Sequence, residues 1–185
     1  MKPMKTRLLA LLAALLLAAL PLVSCAAGDS AADVVTAYRE RFNTLCAELG
    51  YDAYFASQAD VDVSGDTFTV TMMTGLFTVT GEVKSGRIEA LTVALNTSAK
   101  TYIDISDDRD AAQLSVIFMA SLPVLALTDD YETLDIADVQ QFVTETALPS
   151  LKTVQLVGNY KLRTSYTLSP DGLLTVEALQ MTRVR

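Results

Sequence analysis

Apolar residues in the segment after residue 30 recur every three or four positions. They include Val34, Val35, Tyr38, Phe42, Leu45 and Leu49. This spacing puts them on one face of a helix, and it predicts a helix from Ala31 to about Leu49. Ser30 or Asp29 is placed to cap its first turn, and Gly50 to end it. We expect the apolar face to pack on a sheet.

From Asp60 onward the apolar residues alternate with polar ones, which is typical of strands with one buried face. Three strands are predicted, with apolar faces formed by Phe68, Val70 and Met72, by Phe77, Val79 and Val83, and by Leu91, Val93 and Leu95. The segment Lys84-Ser85-Gly86-Arg87 fits a tight hairpin turn. Val61 to Val63 is a candidate for an extra short strand. The pattern indicates an antiparallel meander with one apolar face.

A nearly uninterrupted apolar segment follows within Asp107 to Leu127, with Pro123 inside it and acidic residues on both sides. Insertion into a membrane is one interpretation. The segment is short and interrupted by proline, which favours a central core helix instead. A further helix is predicted from about Ile136 to Ala147, capped by Asp135 or Thr133.

The C-terminal part predicts a long hairpin, in which Tyr160 to Leu168 pairs with Leu173 to Met181. Its turn is Ser169-Pro170-Asp171-Gly172. The predicted order is therefore α-β-β-β-α-α-β-β. We expect an α+β fold, with an antiparallel sheet of about five strands and helices packed on one face. Residues 31–185 then form a single domain.

The first 24 residues have the three regions of a secretory signal peptide. Lys2, Lys5 and Arg7 give a positive start, Leu8 to Leu20 form an apolar run, and Pro21 precedes small residues. A transmembrane anchor is the alternative. The run of about 13 residues is shorter than the roughly 20 needed to span a bilayer, which favours the signal peptide.

Leu22, Val23, Ser24 and Cys25 resemble the lipobox of bacterial lipoprotein precursors, which reads Leu, a variable residue, a small residue and Cys. The resemblance implies cleavage after Ser24 and a diacylglyceryl lipid on Cys25. It also implies a lipid-anchored protein on the extracytoplasmic face of the cell membrane, with residues 25–30 as the lipidated cysteine and a short tether. The lipid anchor on Cys25 makes the membrane itself an expected partner.

Charge and cysteine content set further bounds. After removal of the signal, 11 basic and 22 acidic residues remain, a formal net charge of −11. Such a surface repels nucleic acid, so no nucleic-acid partner is expected. The segment from Lys152 to Arg185 carries a net charge of +3. Four of its residues are predicted either to pair with the acidic remainder or to face an anionic membrane: Lys161, Arg163, Arg183 and Arg185. Cys46 is predicted to be a buried apolar residue, with a reactive thiol as the alternative.

Candidate catalytic and metal-binding residues are scarce. The chain has no histidine, which excludes Ser-His-Asp, Cys-His and imidazole-metal sites. Asp104, Asp107, Asp108 and Asp110 lack the spacing and the glycine of an EF-hand loop, so helix capping explains them better than calcium. We therefore predict no enzyme activity, no metal site and no cofactor.

The outer face of the meander is small and almost uncharged. Its candidate interaction residues are Thr69, Thr71, Thr78, Thr80 and Thr92. Threonine is also a common exposed strand residue, and the C-terminal strands are an alternative cover for this face. On an acidic domain, an uncharged patch is where a partner docks with least desolvation. The sequence thus predicts a non-catalytic binding module that contacts an envelope protein. The alternative is a small secreted hydrolase or a small-ligand-binding lipoprotein.

Overall fold

A computed structural model describes residues 30–100, 102–104, 111–128 and 134–184. Its helices are α1 (Ala31–Glu48), α2 (Ala111–Leu125) and α3 (Ile136–Phe142). Its strands are β1 (Val61–Ser64), β2 (Thr67–Met72), β3 (Phe77–Lys84), β4 (Arg87–Leu95), β5 (Tyr102–Asp104), β6 (Gln155–Val157), β7 (Tyr160–Leu168) and β8 (Leu173–Arg183). The fold is α+β, as the hydrophobic pattern predicts.

All the strand pairs are antiparallel and belong to one sheet. Seven strands follow the order β1-β2-β3-β4-β8-β7-β6, and the short β5 pairs with β8 beside this path. The expectation of about five strands is therefore wrong, as is the element order built on it. The candidate strand at Val61 to Val63 is present as β1, whereas β5 and β6 were not predicted. Each of these two has three residues, too few for alternation to stand out from a loop.

The C-terminal hairpin extends the sheet sideways and does not lie over the meander. Strand β8 pairs with β4 through Ala90↔Thr182 to Ala94↔Ala178, and β7 pairs with the other edge of β8. Ala178 lies beside a register shift that falls between Ser165 and Tyr166 on β7. The C-terminal hairpin therefore does not cover the side of β2, β3 and β4 that carries the threonines.

Helices α1 and α2 pack on the opposite face of the sheet. Helix α1 contacts β1 to β4, and α2 contacts β4 and β8. The core between the layers is made of fully buried apolar side chains, among them Phe42, Val70, Met72, Phe77, Leu91, Leu122, Leu125, Leu179 and Met181. The two helices that contact the sheet therefore share this core with the buried residues of the strands.

The ends of α1 follow the expected local chemistry. The Ser30 hydroxyl accepts a hydrogen bond from the Asp33 backbone N–H at 3.2 Å, and the Asp33 carboxylate accepts one from the Ser30 N–H at 3.2 Å. This capping box satisfies two donors of the first turn. Beyond the last turn, Gly50 takes φ +76°, a conformation that glycine adopts without strain.

The two later helices differ in detail from the predicted ones. Every residue from Ala120 to Ala126 is buried, so the end of α2 lies deep in the core despite Pro123. Asp135 caps α3 by accepting from the Asp138 N–H at 2.9 Å. Helix α3 stops at Phe142, and Val143–Ala147 continue it as one π-helical turn, so the predicted single helix is divided.

Candidate functional site

The five predicted threonines lie together on the sheet face opposite the helices. Thr69 on β2 is opposite Thr80 on β3, which is opposite Thr92 on β4. In the next row, Thr71 is opposite Thr78. Directly paired residues point to the same side of a sheet, so the backbone register places these hydroxyls and methyls in two adjacent rows. We call this surface the threonine face.

The threonine face continues onto the C-terminal hairpin. Thr92 is opposite Gln180, and Gln180 is opposite Arg163. The second row runs from Thr78 through Ala94 and Ala178 to Ser165. The centre of the face is thus uncharged across several strands. Charged side chains lie toward the margins of the threonine face. Asp62 and Glu82 are on one side of it, and Lys161 and Arg163 are on the other.

Accessibility varies within the threonine face. Thr71 and Thr80 are exposed, whereas Thr69, Thr78 and Thr92 are half-buried by their neighbours. The Thr78 hydroxyl donates to the Asn96 side-chain oxygen at 3.3 Å. Threonine hydroxyls donate and accept hydrogen bonds but are weak nucleophiles without an adjacent base. The face is chemically suited to contact and hydrogen bonding.

A groove of about 840 Å³ lies at another place, between α1 and one end of the sheet. Three arginines are among its lining residues: Arg41 from α1, Arg87 from the start of β4 and Arg183 from the end of β8. Its other described lining residues are Val34, Ala37, Tyr38, Thr44, Gly86, Ile88, Ala126, Leu127, Thr128, Gly158, Asn159 and Tyr160. We call it the arginine groove.

Buried hydrogen bonds fix the walls of the arginine groove. The Tyr38 hydroxyl donates to the Pro123 carbonyl at 2.7 Å, and the Tyr160 hydroxyl donates to the Ile88 carbonyl at 2.8 Å. The Arg41 guanidinium donates to the Thr128 carbonyl. Burial raises the pKa of Tyr38 well above its ordinary value, so this hydroxyl stays protonated and remains a donor.

The described lining residues of the arginine groove are basic or neutral. None of its described lining residues is acidic, although the chain carries 22 acidic and 14 basic residues. Within the described ranges, no acidic side chain lies within ion-pair distance of Arg87 or Arg183. The described lining of the groove is therefore basic, in contrast to the acidic composition of the chain.

Sequence reasoning did not find the arginine groove. Arg87 was assigned to a hairpin turn and Arg183 to the net-positive C-terminal segment, and Arg41 was not singled out. The net positive charge of that segment was a sign of a basic site, but its basic residues lie at different places on the molecule. Lys161 and Arg163 project from the opposite sheet face as exposed side chains, while Arg183 lines the groove. Arg185 lies outside the described residues.

A second groove, of about 520 Å³, lies between α2 and α3 and is mostly apolar. Leu114, Phe118, Met119, Ile136 and Val143 line it together with Tyr51. The Tyr51 ring packs edge-on against Phe118, with ring centroids 6.3 Å apart. Nothing in the described part of the chain shows what covers this groove.

Cys46 and the acidic cluster have different outcomes. The Cys46 side chain is 0% exposed, and burial, with a smaller contribution from the charge of Asp52, raises its pKa to about 12. A protonated, inaccessible thiol is unreactive, which favours the buried-residue interpretation.

Asp104 lies in β5, while Asp107, Asp108 and Asp110 fall outside the described residues, as does Cys25. Among the described residues, no three Cys, Asp or Glu side chains are close enough to hold a metal ion.

The fold and these surfaces define an α+β antiparallel sandwich with an uncharged face on one side and a cationic groove at one end. In the described ranges, no helix has both the length and the apolar character needed to cross a membrane. The chain matches no protein-family model, no curated protein and no solved structure.

Proposed function

We propose that this protein is a lipid-anchored, extracytoplasmic binding module that docks an envelope protein on its threonine face. The observation that carries the proposal is the in-register row of Thr69, Thr80 and Thr92 on the sheet face that the described helices leave uncovered. A flat, uncharged row of this kind offers a continuous contact surface.

Desolvation favours the threonine face over the acidic remainder of the surface. Burying a carboxylate without a partner costs far more than burying a hydroxyl that keeps a hydrogen bond. A partner with an uncharged surface that presents backbone or side-chain hydrogen-bonding groups fits the centre of the face. The charges at its margins, Asp62 and Glu82 opposite Lys161 and Arg163, would set the orientation of that partner.

The N-terminal segment supports the location of the proposed module. The lipobox residues Leu22-Val23-Ser24-Cys25 precede a short segment that leads into α1 at Ala31. Two or three acyl chains on one cysteine hold a protein stably on a membrane, whereas a single chain binds only marginally. The domain would then work close to the membrane surface and meet partners that are also held there.

The docking proposal is tested by adding charge to the centre of the threonine face. Thr71→Lys with Thr80→Lys introduces two charges at exposed positions and leaves the core unchanged, so stability should shift by no more than about 1 kcal/mol. Gln58→Lys with Ala59→Lys is the matched control, because it adds the same charge at exposed positions before β1.

Crosslinking in the native envelope followed by pull-down compares the three proteins. We expect a partner captured by the wild type and the control to be lost, by tenfold or more, from the threonine variant, since its lysines would be desolvated without partners. If the folded threonine variant captures the same proteins as the control, the face is not the docking surface. If that variant unfolds, the face is buried and the layer arrangement is wrong.

The anchor is tested separately by Cys25→Ala. We expect an unprocessed precursor, or a protein that moves to the aqueous phase in detergent phase separation, because the lipid attachment atom is gone. A processed protein that still partitions into detergent would contradict lipidation at Cys25.

A further inference from the structure

We infer that copies of this protein associate head to tail, with the β1 edge of one copy against the β6 edge of the next. The inference starts from the two open ends of the sheet. Strands β1 and β6 are the outermost strands of the seven-strand path, and each has a neighbouring strand on one side only among the described residues. An exposed strand edge offers a row of backbone N–H and C=O groups to a strand of another chain.

The backbone groups on the outer edges of these strands are available for pairing. Strand β1 pairs with β2, and β6 pairs with β7. Within the described ranges, no other backbone–backbone hydrogen bond reaches either strand. The strands have four and three residues, so backbone pairing alone would supply only a few hydrogen bonds. The contact between copies therefore needs a further source of affinity.

Opposite charge on the two edges supplies this affinity and selects a second copy as the partner. Residues 50–83, which include β1, contain five acidic residues and no basic one. Residues 146–170, which include β6 and β7, contain three basic residues and no acidic one. Every copy thus presents an acidic edge and a basic edge to its neighbours. Complementary charge across an interface orients the partners and disfavours the wrong pairing.

The charged side chains of the two edges point to the same side of the sheet. A row of directly paired residues crosses the sheet from Asp62 through Thr69, Thr80, Thr92 and Gln180 to Arg163. Directly paired residues point to one side of a sheet, so a copy that continues the sheet brings its Asp62 toward the Arg163 end of its neighbour. Asp62, Lys161 and Arg163 are exposed, and none of them forms an ion pair in the described part of the chain.

The basic edge also carries the most exposed large apolar side chains of the described chain. Leu156 on β6 is 71% exposed, and Val154 directly before β6 is 56% exposed. A second copy against this edge would remove both from water, which favours association. Because the contact joins two different edges, every added copy leaves one edge of each kind free. The association therefore builds open chains of molecules and not closed dimers.

The experiment measures association of the full chain in a neutral detergent by multi-angle light scattering. In about 0.01 M salt, we expect the protein mass per particle to rise at least twofold as the protein concentration increases. In about 1 M salt it should return to the mass of one chain, because salt screens the attraction between exposed charges.

Crosslinking then locates the contact. A carbodiimide joins a carboxylate to a lysine amine that touches it, and a mixture of unlabelled and isotope-labelled chains identifies the products that join two copies. We expect these mixed products to connect Asp60, Asp62 or Asp66 with Lys152 or Lys161. Products between copies that map only to other segments would contradict the inference.

Two charge-reversal variants test the pairing of the edges at exposed positions. Lys161→Glu with Arg163→Glu gives the β6 edge acidic charge, and Asp62→Lys with Asp66→Lys gives the β1 edge basic charge. Each variant alone should associate at least tenfold more weakly than the wild type, because its two edges then carry like charge. An equimolar mixture should recover association to within threefold of the wild type, because the edges of one variant complement those of the other.

Net charge does not account for such a recovery. Each double reversal changes the charge by four units on a chain at −8, so both variants stay net negative and repel each other as whole molecules. Glu40→Lys with Glu48→Lys is the matched control, because it adds four positive units at exposed positions on α1 and alters neither edge strand. The control should associate within twofold of the wild type.

Three further results would overturn the inference. One is a wild type that remains a single chain up to about 1 mM protein in low salt. Another is a mixture of the two reversal variants that recovers no association. The third is weakening by the control as large as that by the reversal variants. All these proteins share one N-terminal segment and one threonine face, so association through either would persist in every variant. The test is therefore independent of the proposed anchor and docking surface.

Discussion

The threonine face and the arginine groove use the same sheet in opposite ways. Thr92 and Arg87 belong to one strand, β4, five positions apart. The face is flat, uncharged and built from rows that neighbouring strands complete by register. The groove is concave and its described lining is basic, and it gathers residues from Val34 to Arg183 through five separate parts of the chain.

The difference shows where each surface is sensitive. Side chains on the threonine face point away from the core, so changing them should alter contacts with partners more than stability. The groove depends on a few long-range hydrogen bonds, such as the one between Tyr38 and Pro123, which are 85 positions apart. The threonine face therefore depends only on the pairing of strands in the sheet. The arginine groove depends on how distant segments pack together.

The largest expected effect comes from the inner side of the strand that carries Thr78 and Thr80. A Cβ atom at Gly81 would lie 2.4 Å from the Phe68 ring and 2.8 Å from the Ala90 carbonyl oxygen. Phe68 packs against Tyr38 of the groove wall, with ring centroids 6.2 Å apart. Gly81→Val should therefore disturb both surfaces and lower the free energy of unfolding by about 3 kcal/mol or more.

Urea unfolding measures this effect against Thr80→Val, the neighbouring exposed position on the same strand. The control should stay within about 1 kcal/mol of the wild type, since valine suits a strand and no core contact changes. Equal stability of the two variants would show that the strand does not pack on Phe68 as described.

A middle-sized effect is expected at the groove wall. Tyr38→Phe removes the hydroxyl that donates to the Pro123 carbonyl in the last turns of α2, and a buried carbonyl left without this donor costs about 1 to 2 kcal/mol. Tyr166→Phe is the control, because Tyr166 is 45% exposed and its hydroxyl has no hydrogen-bond partner among the described residues. A loss of stability in the control equal to that of Tyr38→Phe would contradict the assigned bond.

The pH dependence of stability provides a second measurement of Tyr38. Burial raises its pKa in the folded state, while in the unfolded chain a tyrosine ionises near pH 10. Above about pH 10 the unfolded state releases a proton that the folded state retains, so stability should fall as pH rises. This fall should be smaller in Tyr38→Phe than in the wild type. Identical pH profiles would place Tyr38 in contact with solvent.

The smallest expected effects are changes in stability on removing a charge that forms an ion pair, compared with removing an arginine of the groove. Lys100 and Glu177 form an ion pair, and the hydrogen bond from Lys100 holds the pKa of Glu177 below its ordinary value. Lys100→Gln should lower stability by up to about 0.5 kcal/mol, since the pair is partly exposed. Arg87→Gln should leave stability unchanged or raise it slightly, because it reduces repulsion around the groove.

Thermal unfolding at about 0.01 M and 1 M salt distinguishes the two cases, since high salt screens both effects. The difference between the two variants should shrink at high salt. A loss of stability in Arg87→Gln as large as that in Lys100→Gln would mean that Arg87 has a stabilising partner, and the contrast between the two regions would weaken.

Elements whose signals are local follow from the amino-acid sequence alone. Ser30 and Asp135 cap their helices, as expected from side chains that can satisfy first-turn donors. The turn at Ser85 and Gly86 has the positive φ angles, +51° and +72°, that a tight hairpin requires. Alternation also placed the five threonines on one side of the sheet, because side chains along a strand point to opposite faces in turn.

The packing of the whole chain sets which strands become neighbours and which distant residues meet. The position of β8 between β4 and β7, and the pairing of the three-residue strands β5 and β6, depend on backbone hydrogen bonds that every sequence can form. Arg41, Arg87 and Arg183 come together because α1 packs across the end of that sheet. A periodic pattern predicts the face on which a residue lies, but it does not predict which strand or segment lies beside it. The threonine face was therefore predictable from the sequence, and the arginine groove was not.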